Sequence, residues 1–158
     1  MTVNTIIVQV ADRRWTMRAM HLACDMARNT RSKVVLLHLL RVSNPRLLGS
    51  LVGWTPPTPE ERQAIRDYKP VAEDYGIEID VQPMQYESLV DALVQAAEEL
   101  DASVVFARLP EHRFRLLHQY QTWSLQRQLE RQKRQLCLIE EKLQTAAGVP
   151  AVRLKVVK

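Results

Sequence analysis

The stretches Thr5-Ile-Ile-Val-Gln-Val10 and Lys33-Val-Val-Leu-Leu-His-Leu-Leu40 decide the fold of this chain. Both are short runs of β-branched and aliphatic residues, which are typical of strands that a parallel sheet buries on both faces. Between them, from Trp15 to Asn29, apolar residues recur at helical spacing and leave charged residues for the solvent. The order strand, helix, strand predicts a βαβ unit and therefore an α/β domain.

The same patterning continues to residue 107. The predicted elements are a helix over 60–75, a half-exposed edge strand over 77–83, a helix over 88–101 and a buried strand over 103–107. Gly76 supplies a left-handed stop for the first of these helices, and Pro70 is expected to kink or split it. Pro83 is expected to end the edge strand.

Residues 43–59 form the longest predicted loop. They hold two glycines and four of the eight prolines of the chain, which breaks regular structure. The loop is nevertheless apolar at Leu47, Leu48, Leu51, Val52 and Trp54. We expect these side chains to pack over the domain, and a surface for a partner is the alternative.

The C-terminal third permits two interpretations. Apolar residues recur at four- and three-residue spacings, broken only at Gln132, through a segment without glycine or proline, namely Leu125, Leu129, Leu136, Ile139 and Leu143. One long helix would end at Gly148, and residues 151–157 would then be the last strand of the same domain. Alternatively the helix ends near Arg134 and residues 135–140 are the strand. The domain then spans 1–140, and residues 141–158 are an extension.

Composition and charge limit the class of function. With 158 residues, 46% of them hydrophobic, the chain fits one globular domain. The net charge of +4 conceals segregated charge: residues 60–101 carry twelve acidic against three basic residues, whereas 1–46 and 108–134 are basic. This alternation argues against a continuous nucleic-acid face, so no DNA or RNA partner is expected. Short apolar runs and the lack of a signal pattern predict a cytoplasmic protein without membrane insertion.

No residue pattern indicates catalysis or metal binding. Cys24 and Cys137 lie in apolar segments and are expected to be reduced and partly buried. His21 and Asp25 share a helix face without a second ligand pair, and His38 is expected to have a structural or rim role. His112 and His118 lack a nearby Cys or carboxylate cluster. We therefore expect no metal, no cofactor and no enzymatic activity.

Three blocks of sequence resemble the universal stress protein family. They are Arg18-Ala-Met-His-Leu-Ala-Cys-Asp-Met-Ala27 with the strand that follows, Gly76-Ile-Glu-Ile-Asp-Val81, and residues 92–106. The resemblance implies a doubly wound five-stranded parallel sheet of order 3-2-1-4-5, of the adenine nucleotide alpha hydrolase-like type, with helices on both faces. It also implies a homodimer paired through the last strand, and it favours residues 135–140 as that strand.

Many members of this family bind ATP through an Asp after the first strand and a glycine loop after the fourth. Here Ala11 stands at the usual Asp position, with Asp12 one place later. The positions of the three glycines and the final Ser or Thr are filled by other residues, namely Ala107, Pro110, Tyr120 and Gln121. Proline has no N–H, and side chains obstruct the close backbone approach that glycine permits. The resemblance therefore predicts a family member that does not bind ATP in the usual manner.

Three functions are consistent with these observations. The first is a non-catalytic stress-response or regulatory domain that acts through dimerisation or a protein partner. The second is a ligand- or nucleotide-binding module with a remodelled pocket lined by Ala11, Asp12, Arg108 and Arg113, whose arginines attract an anion. The third is an accessory domain of a membrane transporter that docks through residues 47–54.

Overall fold

The computed structural model describes residues 4–42, 46, 57–111, 113–141 and 152–157. Six strands form one sheet of order β3-β2-β1-β4-β5-β6. The strands are β1 (Thr5–Gln9), β2 (Lys33–Arg41), β3 (Ile79–Tyr86), β4 (Ala102–Phe106), β5 (Gln135–Glu141) and β6 (Val152–Val157). The first five run parallel, and β6 is antiparallel to β5. The predicted order 3-2-1-4-5 is confirmed, with one further strand beyond it.

Four helices connect these strands: α1 (Arg13–Thr30), α2 (Pro59–Asp74), α3 (Leu89–Glu99) and α4 (Arg115–Arg131). Polar side chains cap three of them by accepting backbone N–H groups that the first turn leaves free. Asp12 caps α1, Ser88 caps α3, and Thr58 forms a reciprocal capping box with Glu61 at α2. Gly76, with φ of 70°, follows α2 in the left-handed conformation that the sequence predicts.

The core has two layers, one on each face of the sheet. On one face, α1 and α2 cover inward side chains such as Ile6 and Leu36. On the other face, α3 and α4 cover Ile7, Leu37 and Val105. Consecutive residues of a strand point to opposite faces, so an unbroken apolar run supplies both layers. This explains why the strands read as continuous hydrophobic segments.

The structure rules out a split of the helix at Pro70 and an end of the edge strand at Pro83, and a kink at Pro70 stays a prediction. The helix α2 runs without interruption from Pro59 to Asp74, so Pro70 does not split it. The strand β3 continues through Pro83 to Tyr86, with Pro83 in register with His38 of β2. β3 is an edge strand of this sheet, and an edge strand tolerates a proline whose missing N–H would face away from its neighbour.

The two alternatives for the C-terminal third are both partly correct. The helix α4 ends at Arg131, so the single long helix is wrong, and residues 135–141 form the fifth strand. Residues 152–157 are also a strand, which pairs with β5 from Leu136↔Val157 to Glu141↔Val152. Leu125 and Leu129 are buried residues of the helix α4, whereas Leu136 is a buried residue of the strand β5. The domain boundary near residue 140 stays a prediction.

Both cysteines are free and buried, and burial raises the pKa of the Cys24 and Cys137 thiols from 9.0 to about 11. We expect neither thiol to react with Ellman's reagent in the native protein at pH 8, and both to react after unfolding. The free energy of unfolding should also fall as pH rises from 9 toward 11, because only the unfolded thiols ionise there. A fast-reacting native thiol would contradict the buried placement.

Among the described residues no helix is long and apolar enough to cross a membrane. The apolar part of the long loop, including Trp54, lies outside the described residues. The predictions that this loop packs over the domain or docks on a transporter therefore stay predictions.

Candidate functional site

The strand order reverses between β1 and β4, which lie side by side in the sheet. The connections that leave these two strands diverge, because α1 covers one face and α4 covers the other. Ligands of open α/β sheets bind at the carboxyl ends of the strands where this reversal occurs. The candidate site is therefore the crevice between the residues that follow Gln9 and Phe106.

At the β1 side, the chain turns directly into helix α1. Asp12 is the N-cap, and its Oδ1 accepts the Trp15 N–H at 3.0 Å. The N–H of Ala11 donates to Thr16 Oγ1 at 2.9 Å. An anion at a helix N-terminus would need these N–H groups and the positive end of the helix dipole. In this chain the Asp12 carboxylate already occupies that position.

At the β4 side, Arg108 is bound through its backbone to β1 and through its side chain to the N-cap of α1. The Arg108 N–H donates to Gln9 Oε1 at 2.9 Å, and the Arg108 guanidinium forms an ion pair with the Asp12 carboxylate. The two charged side chains are about half exposed, at 43% and 50% of their side-chain surface. We call the three residues Gln9, Asp12 and Arg108 the latch, because together they join the two sides of the crevice.

The ion pair of the latch holds the two sides of the crevice together but adds little to the stability of the fold. A half-exposed ion pair contributes no more than about 1 kcal/mol. The bond to Gln9 differs because Gln9 is only 7% exposed and the amide is a neutral acceptor in the sheet interior. Neutralisation by Asp12 also weakens the attraction of Arg108 for an incoming anion.

Pro110 and Leu109 complete the turn after β4. Leu109 is buried against the α3 and α4 layer, which holds the backbone close to the sheet. The Pro110 carbonyl accepts a hydrogen bond from His118 Nδ1 of α4 at 3.2 Å. His118 therefore orients this turn from the first half of α4. Pro110 itself offers no N–H to a phosphate oxygen.

The structure brings together only some of the predicted site residues. Ala11, Asp12, Ala107 and Arg108 lie at the crevice, with Ala107 N–H donating to the Cys137 carbonyl at 3.2 Å. Arg113 is exposed just before α4. Their predicted roles in binding stay predictions.

Two predicted loop positions fall inside a helix. The loop was expected to extend to Gln121, but α4 begins at Arg115, so Tyr120 and Gln121 are helical. Residues 115–131 contain no glycine or proline to interrupt this helix. Tyr120 points to solvent and contacts Trp123, with 6.2 Å between ring centroids.

The sequence interpretation missed Gln9 and Thr16. Gln9 is the one amide in a buried strand whose other residues are Thr5 and three aliphatic residues, and a buried amide requires a hydrogen-bond partner. Thr16 is fully buried in the first turn of α1, where its hydroxyl accepts the Ala11 N–H. A buried polar residue beside a strand end is the signal that would have identified both.

Replacing Gln9 with methionine should reduce the free energy of unfolding by about 1–3 kcal/mol, because the Arg108 N–H loses its acceptor. Urea denaturation at pH 7 measures this change. Gln82→Met is the matched control, since Gln82 is exposed on β3, and it should change stability by less than about 0.5 kcal/mol. Equal effects of the two substitutions would show that the Gln9 hydrogen bond is unimportant.

The histidines lie as follows. His21 Nδ1 is 3.2 Å from the Tyr75 hydroxyl, and the two rings make an edge contact at 5.9 Å. His38 is buried in β2 with 8% exposure. Within the described ranges no three His, Cys, Asp or Glu residues form a group that could hold a metal ion. His112 lies outside the described residues.

The strand order and the crevice place the chain in the class of doubly wound open-sheet α/β proteins. Within that class it has the universal stress protein fold. It is similar to universal stress protein UspA from Lactobacillus plantarum, with a TM-score of 0.59 and 15% identity over 89% of this chain and 99% of that chain. It is also similar to a universal stress protein in complex with cAMP, with a TM-score of 0.55 and 18% identity over 81% of this chain and 91% of that chain.

The universal stress protein from Archaeoglobus fulgidus in complex with dAMP gives a TM-score of 0.51 and 21% identity over 67% of this chain and 81% of that chain. No family model and no curated protein matches the sequence. The likeness therefore establishes the fold alone.

Proposed function

We propose that this chain is a universal-stress-protein-like regulatory domain that is not catalytic and does not bind ATP in the usual family manner. The observation that carries the proposal is the latch, which joins the two sides of the crevice where doubly wound folds hold ligands. The fold supports the class of protein. The latch and Pro110 support the statement that it does not bind ATP in the usual family manner.

Three physical effects oppose a triphosphate at this position. The Arg108 N–H is already bonded to Gln9, so it is not free for a phosphate oxygen. Pro110 cannot donate a hydrogen bond. The Asp12 carboxylate neutralises the Arg108 guanidinium and so weakens its attraction for the negative charges of ATP. The residues present therefore do not fit the group that the family resemblance implies.

We propose that the domain works by dimerisation or by contact with a protein partner, as a stress-response component in the cytoplasm. No candidate nucleophile with an adjacent base occurs at the crevice among the described residues, which supports a non-catalytic role.

Isothermal titration calorimetry with Mg-ATP tests the proposal. We expect no saturable heat up to about 1 mM ATP, which corresponds to binding weaker than about −4 kcal/mol. Circular dichroism on the same sample establishes that the protein is folded. A micromolar dissociation constant would show that the qualification is wrong and would leave the fold assignment intact.

A remodelled nucleotide site is the second candidate function. Two proteins of the same fold were solved with cAMP and with dAMP, which are smaller and less charged than ATP. Arg108 and Arg113 would supply the positive charge for one phosphate. Saturable binding of dAMP or cAMP that is lost in Arg113→Gln, without binding of ATP, would favour this function over the first.

A further inference from the structure

The solvent side of α4 carries large apolar side chains that stay exposed in the described part of the chain. Leu116, Tyr120 and Trp123 are 80%, 62% and 51% exposed. Their spacing of four and three residues places them on one stripe, opposite the buried Leu125 and Leu129. A folded domain leaves such a stripe on the outer side of a helix only at a cost in solubility, unless another surface covers it.

The stripe ends in arginines. The Arg127 guanidinium lies 5.1 Å from the centroid of the Trp123 ring, a cation–π distance, and Arg131 follows one turn later. No described acidic residue forms a salt bridge with Arg127 or Arg131. Tryptophan, tyrosine and arginine are the residues that contribute most to protein interfaces. We call Leu116, Tyr120, Trp123, Arg127 and Arg131 the α4 stripe.

The neighbouring helix on the same face has the opposite charge. α3 and α4 pack side by side over one core layer. The outward residues of α3 are Asp91, Gln95, Glu98 and Glu99, so this helix has three acidic and no basic residues. We call these four residues the α3 stripe. Glu130 is the one acidic residue of α4, against three arginines, so the face presents an aromatic stripe with net positive charge beside a parallel acidic stripe.

We propose that this face binds a second copy of the chain, with the α4 stripe of each copy against the α3 stripe of the other. A two-fold axis parallel to the helices and midway between them exchanges α3 and α4 across the interface. Because both helices run against the parallel strands that follow them, they point in the same direction. Arg127 and Arg131 then approach Glu98 and Glu99 at the same end of the face, and each opposite-charge contact forms twice.

Two other occupants fit the charges less well. An antiparallel α4 pair centred on Tyr120 would place Arg127 opposite Arg113 of the second copy, which brings like charges together. An anionic lipid surface would attract the α4 stripe, but it would also meet the carboxylates of the adjacent α3 stripe. Of these three arrangements, only the exchanged two-fold one pairs both stripes with opposite charge. It does not use the edge of β5, where the family resemblance places a dimer, because β6 of the same chain pairs with that edge.

This inference rests on the proposal that the domain acts through dimerisation, and it names the surface. Sedimentation velocity on the full chain measures the dimer dissociation constant of the unaltered protein. One variant, Arg127→Glu with Arg131→Glu, reverses the charge of the α4 stripe. The other variant, Glu98→Lys with Glu99→Lys, reverses the charge of the α3 stripe. All four residues are exposed, so neither variant removes a core contact.

We expect a dimer dissociation constant of about 100 µM or below for the unaltered protein. For each variant alone, this constant should be at least about tenfold higher. An equimolar mixture of the two variants should dimerise again, because the acidic α4 of one meets the basic α3 of the other, and the unaltered pair of stripes forms on the opposite side. Recovery on mixing also shows that both variants are folded.

Different results overturn different statements. A dimer that survives both charge reversals overturns this surface and leaves the proposed function intact. A monomer at about 100 µM overturns the surface and the dimerisation part of the proposal, without affecting the ATP titration. Failure of the mixture to recover dimerisation also overturns the surface, as does a monomer that binds phosphatidylserine vesicles through Arg127 and Arg131.

Discussion

Replacing Phe106 with alanine is expected to reduce the free energy of unfolding by about 3–5 kcal/mol. Phe106 is fully buried at the carboxyl end of β4, in register with Val8 of β1 and Cys137 of β5. Its ring fills the layer between the sheet and α1, next to the latch. Because packed interiors collapse only partly around a deletion, the lost ring leaves a cavity. Urea denaturation followed by circular dichroism measures the loss.

Phe114 supplies the matched control, since the chain has only these two phenylalanines. Phe114 precedes α4 and is 73% exposed. Its replacement by alanine should change stability by less than about 0.5 kcal/mol. Similar losses for the two substitutions would contradict the placement of β4 in the centre of the sheet.

The second large effect concerns Leu129. Its side chain is fully buried between α4 and the sheet, so Leu129→Ala should cost about 2–5 kcal/mol. Leu116→Ala on the same helix removes the same atoms from an 80% exposed position and should cost less than about 0.5 kcal/mol. Both measurements are made at low micromolar protein, where self-association contributes least.

This pair of substitutions tests which side of α4 faces the core. If Leu116→Ala were the more destabilising change, the helix would be rotated by about half a turn, and the α4 stripe would be buried. The proposed dimer surface would then not exist. The structure predicts the opposite ranking.

The first two thirds of the fold could be predicted because each element carries its own signal. The apolar runs in β1, β2 and β4 and the periodic stripe of α1 require no knowledge of distant residues. The C-terminal third differs, since Leu125, Leu129 and Leu136 fit a single helix by spacing alone. The resemblance to the universal stress protein family, and not the periodicity, favoured the strand at residue 135. The antiparallel pairing of β6 with β5 joins segments that are distant in the sequence, and local sequence patterns do not encode such a pairing.

The site was predicted only in outline. Asp12 could be named because the family resemblance places it beside the usual Asp position, and Arg108 because it follows a strand at the carboxyl edge of the sheet. Their ion pair, and the bond from Arg108 to Gln9, join residues almost one hundred positions apart. Such a contact depends on the register of β1 against β4, which the sequence of either strand does not specify. Tyr120 and Gln121 were misplaced because a family loop was extended into residues that form a helix.

The latch can be observed directly at the Arg108 backbone amide by NMR. In a ¹H–¹⁵N spectrum of the full chain, we expect this amide to exchange slowly with solvent, because it donates to the buried Gln9. The signals of Arg108, Ala11 and Asp12 should not shift when ATP is added to about 5 mM. This concentration would largely fill a site with a dissociation constant of about 1 mM. A fast-exchanging Arg108 amide whose signal shifts saturably with ATP would contradict the account.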